Sequence, residues 1–251
     1  MLSKAQISLI TSLQHKKFRK QHGLFIVEGA KSVIEFLSSD YQIHSLYTTA
    51  EARTKMSNLP RKLKCIDVST SEFQKISSLT NPQGVLALVH LPVSETFDWS
   101  LLRRQHSLLL DDIQDPGNLG TIIRTAEWFG IQHIICSIGT VDAFNPKVVQ
   151  ATMGSLARIK IYYTPLADFI NQAEIPTFGA LLNGKSIYKT DFGKAGLIVM
   201  GNEGNGIGKE IVEKVDHAVT IPRRGRAESL NVAVATTVFC SEIARQKEEP
   251  S

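Results

Sequence analysis

The chain has 251 residues, 43% of them hydrophobic, and 28 Lys and Arg against 24 Asp and Glu, for a net charge of +4. That supports a sizeable core in one large or two modest domains, and the mild basic excess permits a polyanionic partner without requiring one. Three scattered cysteines, Cys65, Cys136 and Cys240, with no Cys-x-x-Cys pair, exclude a disulfide framework or a cysteine zinc site and fit a reducing compartment. No apolar run approaches the roughly 20 residues needed to span a bilayer. The N-terminus lacks a hydrophobic signal core, so the expected location is the cytoplasm.

In chain order, a helix-like stretch opens the sequence and leads into a basic cluster, His15, Lys16, Lys17, Arg19, Lys20 and His22. A strand is predicted at 24–27, an apolar-periodic helix at 30–37, short strands at 43–47, 64–68 and 85–90, and a helix at 71–77. Residues 1–92 therefore read as a small α/β domain. Residues 93–104 hold scattered polar residues without strong periodicity and are expected to be a linker. From residue 105 to 251 strands and helices alternate. Strands are predicted at 108–110, 133–137, 159–163, 177–182, 197–200 and 218–221. Helices are predicted at 119–129, 146–153, 166–172 and 209–215, with a last one from 229 to 247. This pattern means a mostly parallel sheet with helices on both faces.

Three of those strands run into loops rich in Gly, Asn and charged residues. The first loop, residues 112–120, includes Asp115-Pro116-Gly117-Asn118, a strong turn sequence. Asn118 stands where it would cap the next helix, and Arg124 follows less than two turns on, with a side chain long enough to reach back toward the strand ends. A lone arginine on a helix is otherwise a surface charge. The second loop is Gly201-Asn202-Glu203-Gly204-Asn205-Gly206. Its glycines fit neither the dinucleotide fingerprint nor the phosphate loop, and Glu203 would repel a phosphate. The third, residues 221–231, carries Arg223, Arg224 and Arg226, which would grip a nucleic-acid backbone or form a solvated basic loop. Ser229 is placed to cap the last helix, whose apolar face reads as Val232, Ala235, Thr236, Phe239, Cys240 and Ile243. Loops at the carboxyl ends of parallel strands are where open α/β sheets build ligand sites.

Together these loops resemble the SpoU (TrmH-type) branch of the SPOUT RNA methyltransferases. The matching residues are Asn118-Leu119-Gly120 with Arg124, then Gly201-Asn202-Glu203-Gly204, then Ser229-Leu230-Asn231-Val232. The segments Phe25-Ile26-Val27-Glu28-Gly29 and Pro82-Gln83-Gly84-Val85-Leu86-Ala87 resemble the family's L30e-like substrate-binding domain. The resemblance implies a deep trefoil knot in the sheet domain and an S-adenosylmethionine pocket lined by Gly201, Ile221, Leu230 and Leu182. It also implies a homodimer and methyl transfer to a ribose 2'-oxygen of RNA without a metal. Asn118, Arg124, Glu203, Ser229 and Asn231 would be the catalytic set: Asn118, Ser229 and Asn231 orient ribose and phosphate, and Glu203 anchors its loop through backbone amides or approaches the cofactor. Lys16, Lys17, Arg19, Lys20, Arg223, Arg224 and Arg226 would contact RNA. An N-terminal domain of this kind favours ribosomal RNA over tRNA. The competing readings are a tRNA methylase, a catalytically silent RNA-binding relative, and an ordinary nucleotide-dependent α/β enzyme.

Overall fold

The computed structural model describes residues 1–54, 56, 59, 63–93 and 97–248, and the chain forms two compact units. The first is Met1–Ser94 together with Asp142–Ala157; the second is Glu95–Val141 with Arg158–Ser251. Residues 94–96 of the expected linker lie outside the described residues.

In the first unit a four-stranded sheet has the order β1-β4-β2-β3. Its strands are β1 (Leu24–Glu28), β2 (Ile43–Thr48), β3 (Cys65–Asp67) and β4 (Val85–His90). β4 runs antiparallel to both neighbours, while β2 and β3 are parallel. The helices are α1 (Lys4–Ser12), α2 (Lys16–His22), α3 (Ala30–Leu37), α4 (Ala50–Thr54), α5 (Thr70–Ile76) and, from the separate segment, α8 (Pro146–Ala151). Capping boxes start α1 (Ser3 with Gln6) and α5 (Ser69 with Glu72), each satisfying two otherwise orphaned amides. One side of the core is a set of edge-to-face rings, Phe25 with Phe36 and Tyr41, and Phe144 tilted against Phe25. Phe144 belongs to the segment that periodicity alone assigned to the second domain.

The second unit is a six-stranded, wholly parallel sheet of order β10-β8-β9-β5-β6-β7. Its strands are β5 (His106–Leu110), β6 (His133–Cys136), β7 (Lys160–Tyr163), β8 (Thr177–Ser186), β9 (Gly196–Met200) and β10 (His217–Thr220). β5, β6 and β9 are buried at every residue, as strands covered on both faces must be. Its helices are α6 (Trp99–Leu102), α7 (Pro116–Trp128), α9 (Leu166–Ala173), α10 (Lys209–Val212) and α11 (Val232–Glu248). α11 packs on α7, where Thr125 and Thr237 hydroxyls meet at 3.3 Å. No helix among the described residues is long and apolar enough to cross a membrane.

α6 stands within the expected linker, α7 starts at Pro116 rather than 119, and α10 ends at Val212 rather than 215; two further differences bear on the site. β8 extends to Ser186, beyond the expected end at 182, because β10 pairs with it in two registers. His217 and Ala218 face Phe178 and Gly179, then Val219 and Thr220 face Lys185 and Ser186, so residues 180–184 stand out of the ladder. Gly184 permits this: a Cβ there would lie 2.5 Å from the Ala218 carbonyl oxygen. The last helix begins at Val232 rather than 229, and its buried face holds Ala233 while Ala235 is half-buried.

His106 ties the base of β5 to the rest of its unit and sets an acid limit. It is 1% exposed, its Nε2 lies 3.0 Å from the Phe192 carbonyl, and its Nδ1 has no partner among the described residues. Burial, with Lys247 nearby, holds its pKa below the usual histidine value despite the Phe192 carbonyl. Because the folded value is depressed, its contribution to stability is full above the unfolded pKa of about 6.5 and is lost as pH falls through the folded value. We expect the thermal midpoint to drop between pH 7.5 and pH 5. His106→Gln, which keeps a donor for Phe192 without a proton to gain, should flatten that dependence. An equally steep profile in the variant would discount His106.

Candidate functional site

The three loops meet at the carboxyl ends of β5 and β9. These strands are neighbours, and the Asp111 N–H extends their ladder to the Met200 carbonyl at 2.9 Å. α7 is started by Asp115, whose Oδ1 accepts from the Asn118 N–H at 2.8 Å, with Pro116 in the first turn. The expectation that Asn118 caps this helix is therefore corrected: Asp115 takes the cap, which leaves the Asn118 side chain free to face outward from the helix end.

That side chain joins the three motifs. Asn118 Nδ2 donates to Glu203 Oε1 at 2.6 Å, and Asn231 Nδ2 donates to Asn118 Oδ1 at 2.9 Å. Asn231 Oδ1 in turn accepts from the Ala233 and Val234 amides at 2.9 and 3.3 Å, which starts α11. The helix amides thus orient Asn231, Asn231 orients Asn118, and Asn118 presents a donor to the Glu203 carboxylate, a charge-assisted bond. Ser229 was expected to cap α11. It does not, because the helix starts three residues later and Asn231 supplies the acceptor. Ser229 is exposed and makes no hydrogen bond among the described residues. The expectation that Glu203 holds its own loop through backbone amides is also corrected. Asn202 Oδ1 does this, accepting from the Gly204 and Asn205 amides at 2.8 and 3.1 Å.

Beside this chain of amides lies a cleft of about 1050 Å³, lined by the 180–183 stretch of β8, the 200–206 loop, the 219–230 loop and the start of α11. Leu182, Gly201, Ile221 and Leu230 all border it, as do Glu203, Ser229, Arg223 and Arg224. Gly201 is required by packing: a Cβ there would lie 2.2 Å from the Gly206 carbonyl carbon and 2.3 Å from the Ile207 nitrogen. The lining combines apolar side chains and close backbone with two carboxylates (Glu203 and Glu228) and two arginines (Arg223 and Arg224). A cleft of this size suits a nucleoside-sized ligand. No group of three or more His, Cys, Asp or Glu able to hold a metal ion is found among the described residues.

Arg124 is not drawn into this cluster. It is exposed on α7 and makes no hydrogen bond or ion pair among the described residues. Arg226 is exposed, and Arg223 donates to the Ala227 carbonyl within its own loop at 3.3 Å.

In the first unit Lys16, Lys17 and Lys20 are exposed, but Arg19 is 2% exposed. Its guanidinium donates to Asp142 Oδ2 at 2.6 and 3.2 Å and to the carbonyls of Leu13 and Gln14 at 2.8 and 2.9 Å. The expectation that Arg19 contacts RNA is thus corrected, since all its reach is spent inside the protein. A buried pair broken on one side leaves an uncompensated charge. Arg19→Ala is therefore expected to destabilise the protein by about 3 kcal/mol, measured by denaturant unfolding. A change below about 0.5 kcal/mol, the range of an ordinary surface substitution, would contradict the burial.

Residues 105–241, more than half of the chain, match the SpoU rRNA Methylase family. The chain belongs to that family. Residues 4–87 of this SpoU methylase match the MRM3-like substrate binding domain. The chain is 33% identical over 231 residues to the 23S rRNA (guanosine(2553)-2'-O)-methyltransferase RlmP of Bacillus subtilis, covering 90% of this chain and 91% of that one. Among solved structures, a putative TrmH-family RNA methyltransferase from Porphyromonas gingivalis superposes with TM-score 0.88 at 39% identity, covering 98% and 99% of the two chains. An rRNA methyltransferase from Sinorhizobium meliloti, solved with AdoMet bound, gives 0.87 at 30% identity over 100% and 97%.

The residues that sequence reasoning missed are Asp112, Gln114, Asp115 and Asn202, which hold the loops; of these only Asn202 also borders the cleft. Asp115 had a usable signal, since an Asp before Pro at a helix start is a strong cap.

Proposed function

We propose that this SpoU methylase transfers a methyl group from S-adenosylmethionine to a ribose 2'-hydroxyl of RNA, with ribosomal RNA favoured over tRNA. The observation that carries this reading is the hydrogen-bonded run Asn231–Asn118–Glu203 at the mouth of the cleft, which unites all three motif loops. The naming of the B. subtilis relative for 23S rRNA and the N-terminal match to a substrate binding domain favour rRNA. The same reading has Leu182, Gly201, Ile221 and Leu230 holding the cofactor, a knotted threading of the chain after β9, and a homodimer acting in the cytoplasm.

When bound, the cofactor supplies an already activated methyl on a sulfonium. The protein must then align the 2'-oxygen with it, and alignment alone contributes several kcal/mol. As the O–C bond forms and the S–C bond breaks, the 2'-proton must leave. Arg124 is a donor and cannot take it. Its free guanidinium instead holds the phosphate beside the target ribose and stabilises the developing alkoxide, while a phosphate oxygen or a water receives the proton. Asn118 and Asn231 have most of their capacity engaged with each other and with Glu203. Their part is to fix the carboxylate at the cleft, and each retains one N–H for the RNA. Exposed Lys16, Lys17, Lys20, Arg224 and Arg226 attract the RNA backbone.

The test is methyl transfer from labelled S-adenosylmethionine to separated rRNA and tRNA pools from a strain lacking the gene, with product nucleosides mapped. A 2'-O-methylated nucleotide in one rRNA fragment is expected. Label confined to tRNA would keep the chemistry and reverse the substrate. Failure to bind the cofactor would remove the mechanism.

A further inference from the structure

Asn202 stands between Gly201 and Glu203, and its side chain is more fully bonded than that of Glu203. Its Oδ1 closes its own loop by accepting from the Gly204 and Asn205 amides. Its backbone pairs with Gly206 in both directions, at 3.0 and 2.9 Å. Its remaining group, Nδ2, crosses to the other loop and donates to the Asp112 carbonyl at 2.7 Å.

The acceptor is held just as firmly. Asp112 has φ +57°, a conformation that few non-glycine residues adopt. Its N–H donates to Ser137 Oγ at 2.8 Å, and its Oδ1 accepts from Gln114 Nε2 at 2.6 Å. Gln114 Nε2 also donates to the Gly139 carbonyl at 2.8 Å, and a Cβ on Gly139 would fall 2.4 Å from Asp112 Oδ1. Four side chains, with Gly139 packed against one of them, thus define where a single carbonyl stands. Strain of this kind persists only where its surroundings over-determine it, and it gathers at functional sites.

We propose that Asn202 is a positioning residue for methyl transfer. By tying the 201–206 loop to the Asp112 backbone it sets Glu203 within hydrogen-bonding reach of Asn118. A loop with glycines at 201, 204 and 206 has wide backbone freedom, and the 2.6 Å Asn118–Glu203 contact depends on both loops keeping one spacing. Asn202 acts through Glu203 and touches neither RNA nor the transferred methyl. The inference rests on the methyl-transfer reading above.

Asn202→Asp tests it. The carboxylate still accepts the two loop amides, but an oxygen replaces the donor and faces the Asp112 carbonyl. We expect kcat to fall about 10- to 100-fold, the scale of a misplacement near 1 Å. The fall is read at saturating S-adenosylmethionine, because Asn202 also borders the cleft, and the thermal midpoint should stay within a few degrees. In a Glu203→Gln background the same change should lower kcat less than about twofold, because the group it positions is already altered. Should Asn202→Asp not fold, Asn202→Ser, whose hydroxyl can accept the loop amides but cannot reach Asp112, gives the same comparison. Wild-type turnover at saturating cofactor in the variant, or an equal fall in both backgrounds, would each overturn the proposal. A wild-type protein that transfers no methyl group overturns the underlying function as well; an active wild type with an unaffected variant overturns this inference alone.

Discussion

Replacing Arg124 with alanine is expected to lower kcat for methyl transfer by about 1000-fold, the scale of removing one preorganised charge donor from a developing oxyanion. The cofactor Kd should hardly move, because Arg124 is not among the residues bordering the cleft. The side chain is exposed and unpaired among the described residues, so its loss leaves no buried charge and little should change in stability. That combination separates a role in the reaction from a role in folding. Arg124→Lys keeps the charge and discards the planar fork, and a bidentate phosphate contact then predicts a loss of about 10-fold or more. Single-turnover rates with saturating cofactor measure both. A lysine variant with wild-type turnover would remove the bidentate geometry, and an alanine variant with weakened cofactor binding would place Arg124 in the cleft instead.

Gly201→Ala should act on the other half of the site. The added methyl would meet the backbone of Gly206 and Ile207 at 2.2–2.3 Å. Backbone cannot rotate aside as a side chain can, so the 201–206 loop must move as a body. Forced overpacking of this type costs about 1–3 kcal/mol, and because the loop forms a wall of the cleft the cost should appear in binding. We expect S-adenosylmethionine to bind about 10- to 100-fold more weakly by calorimetric titration, with a lower thermal midpoint. Turnover at saturating cofactor should also drop, since Glu203 rides on the same loop. Unchanged affinity would show that the cofactor does not lean on the 201–206 loop.

These two substitutions also mark where sequence reading succeeds. Glycine at 201 follows a fully apolar strand and opens the Gly201-Asn202-Glu203-Gly204 stretch, so a polar loop at a strand end is legible locally. The consequence of burial on both faces is equally legible. β9 is apolar throughout and β5 and β6 are apolar after their opening His106-Ser107 and His133, and such runs separated by amphipathic helices indicate a covered parallel sheet. By contrast, capping was misread twice at adjacent sites. Asp115 displaced Asn118, and Asn231 displaced Ser229, because every one of these residue types can cap and only the true start of the helix selects among them.

What the sequence by itself determined is the strands and most of the helices, though not α4 or α6, their alternation, and the three polar loops at strand ends with their residue types. Those follow from spacing, turn chemistry and burial pattern, which act over a few residues. What only the tertiary structure decided is which distant groups share a hydrogen bond. Asn118 finds Glu203 85 positions away and Asn231 113 positions away. Arg19, a member of an apparently solvated basic run, finds Asp142 123 positions away and is buried by it. No local propensity encodes such pairings. A charged or amide side chain carries the same capacity wherever it stands, and the strand order β10-β8-β9-β5-β6-β7 places β5 beside β9 and so brings the first two loops together.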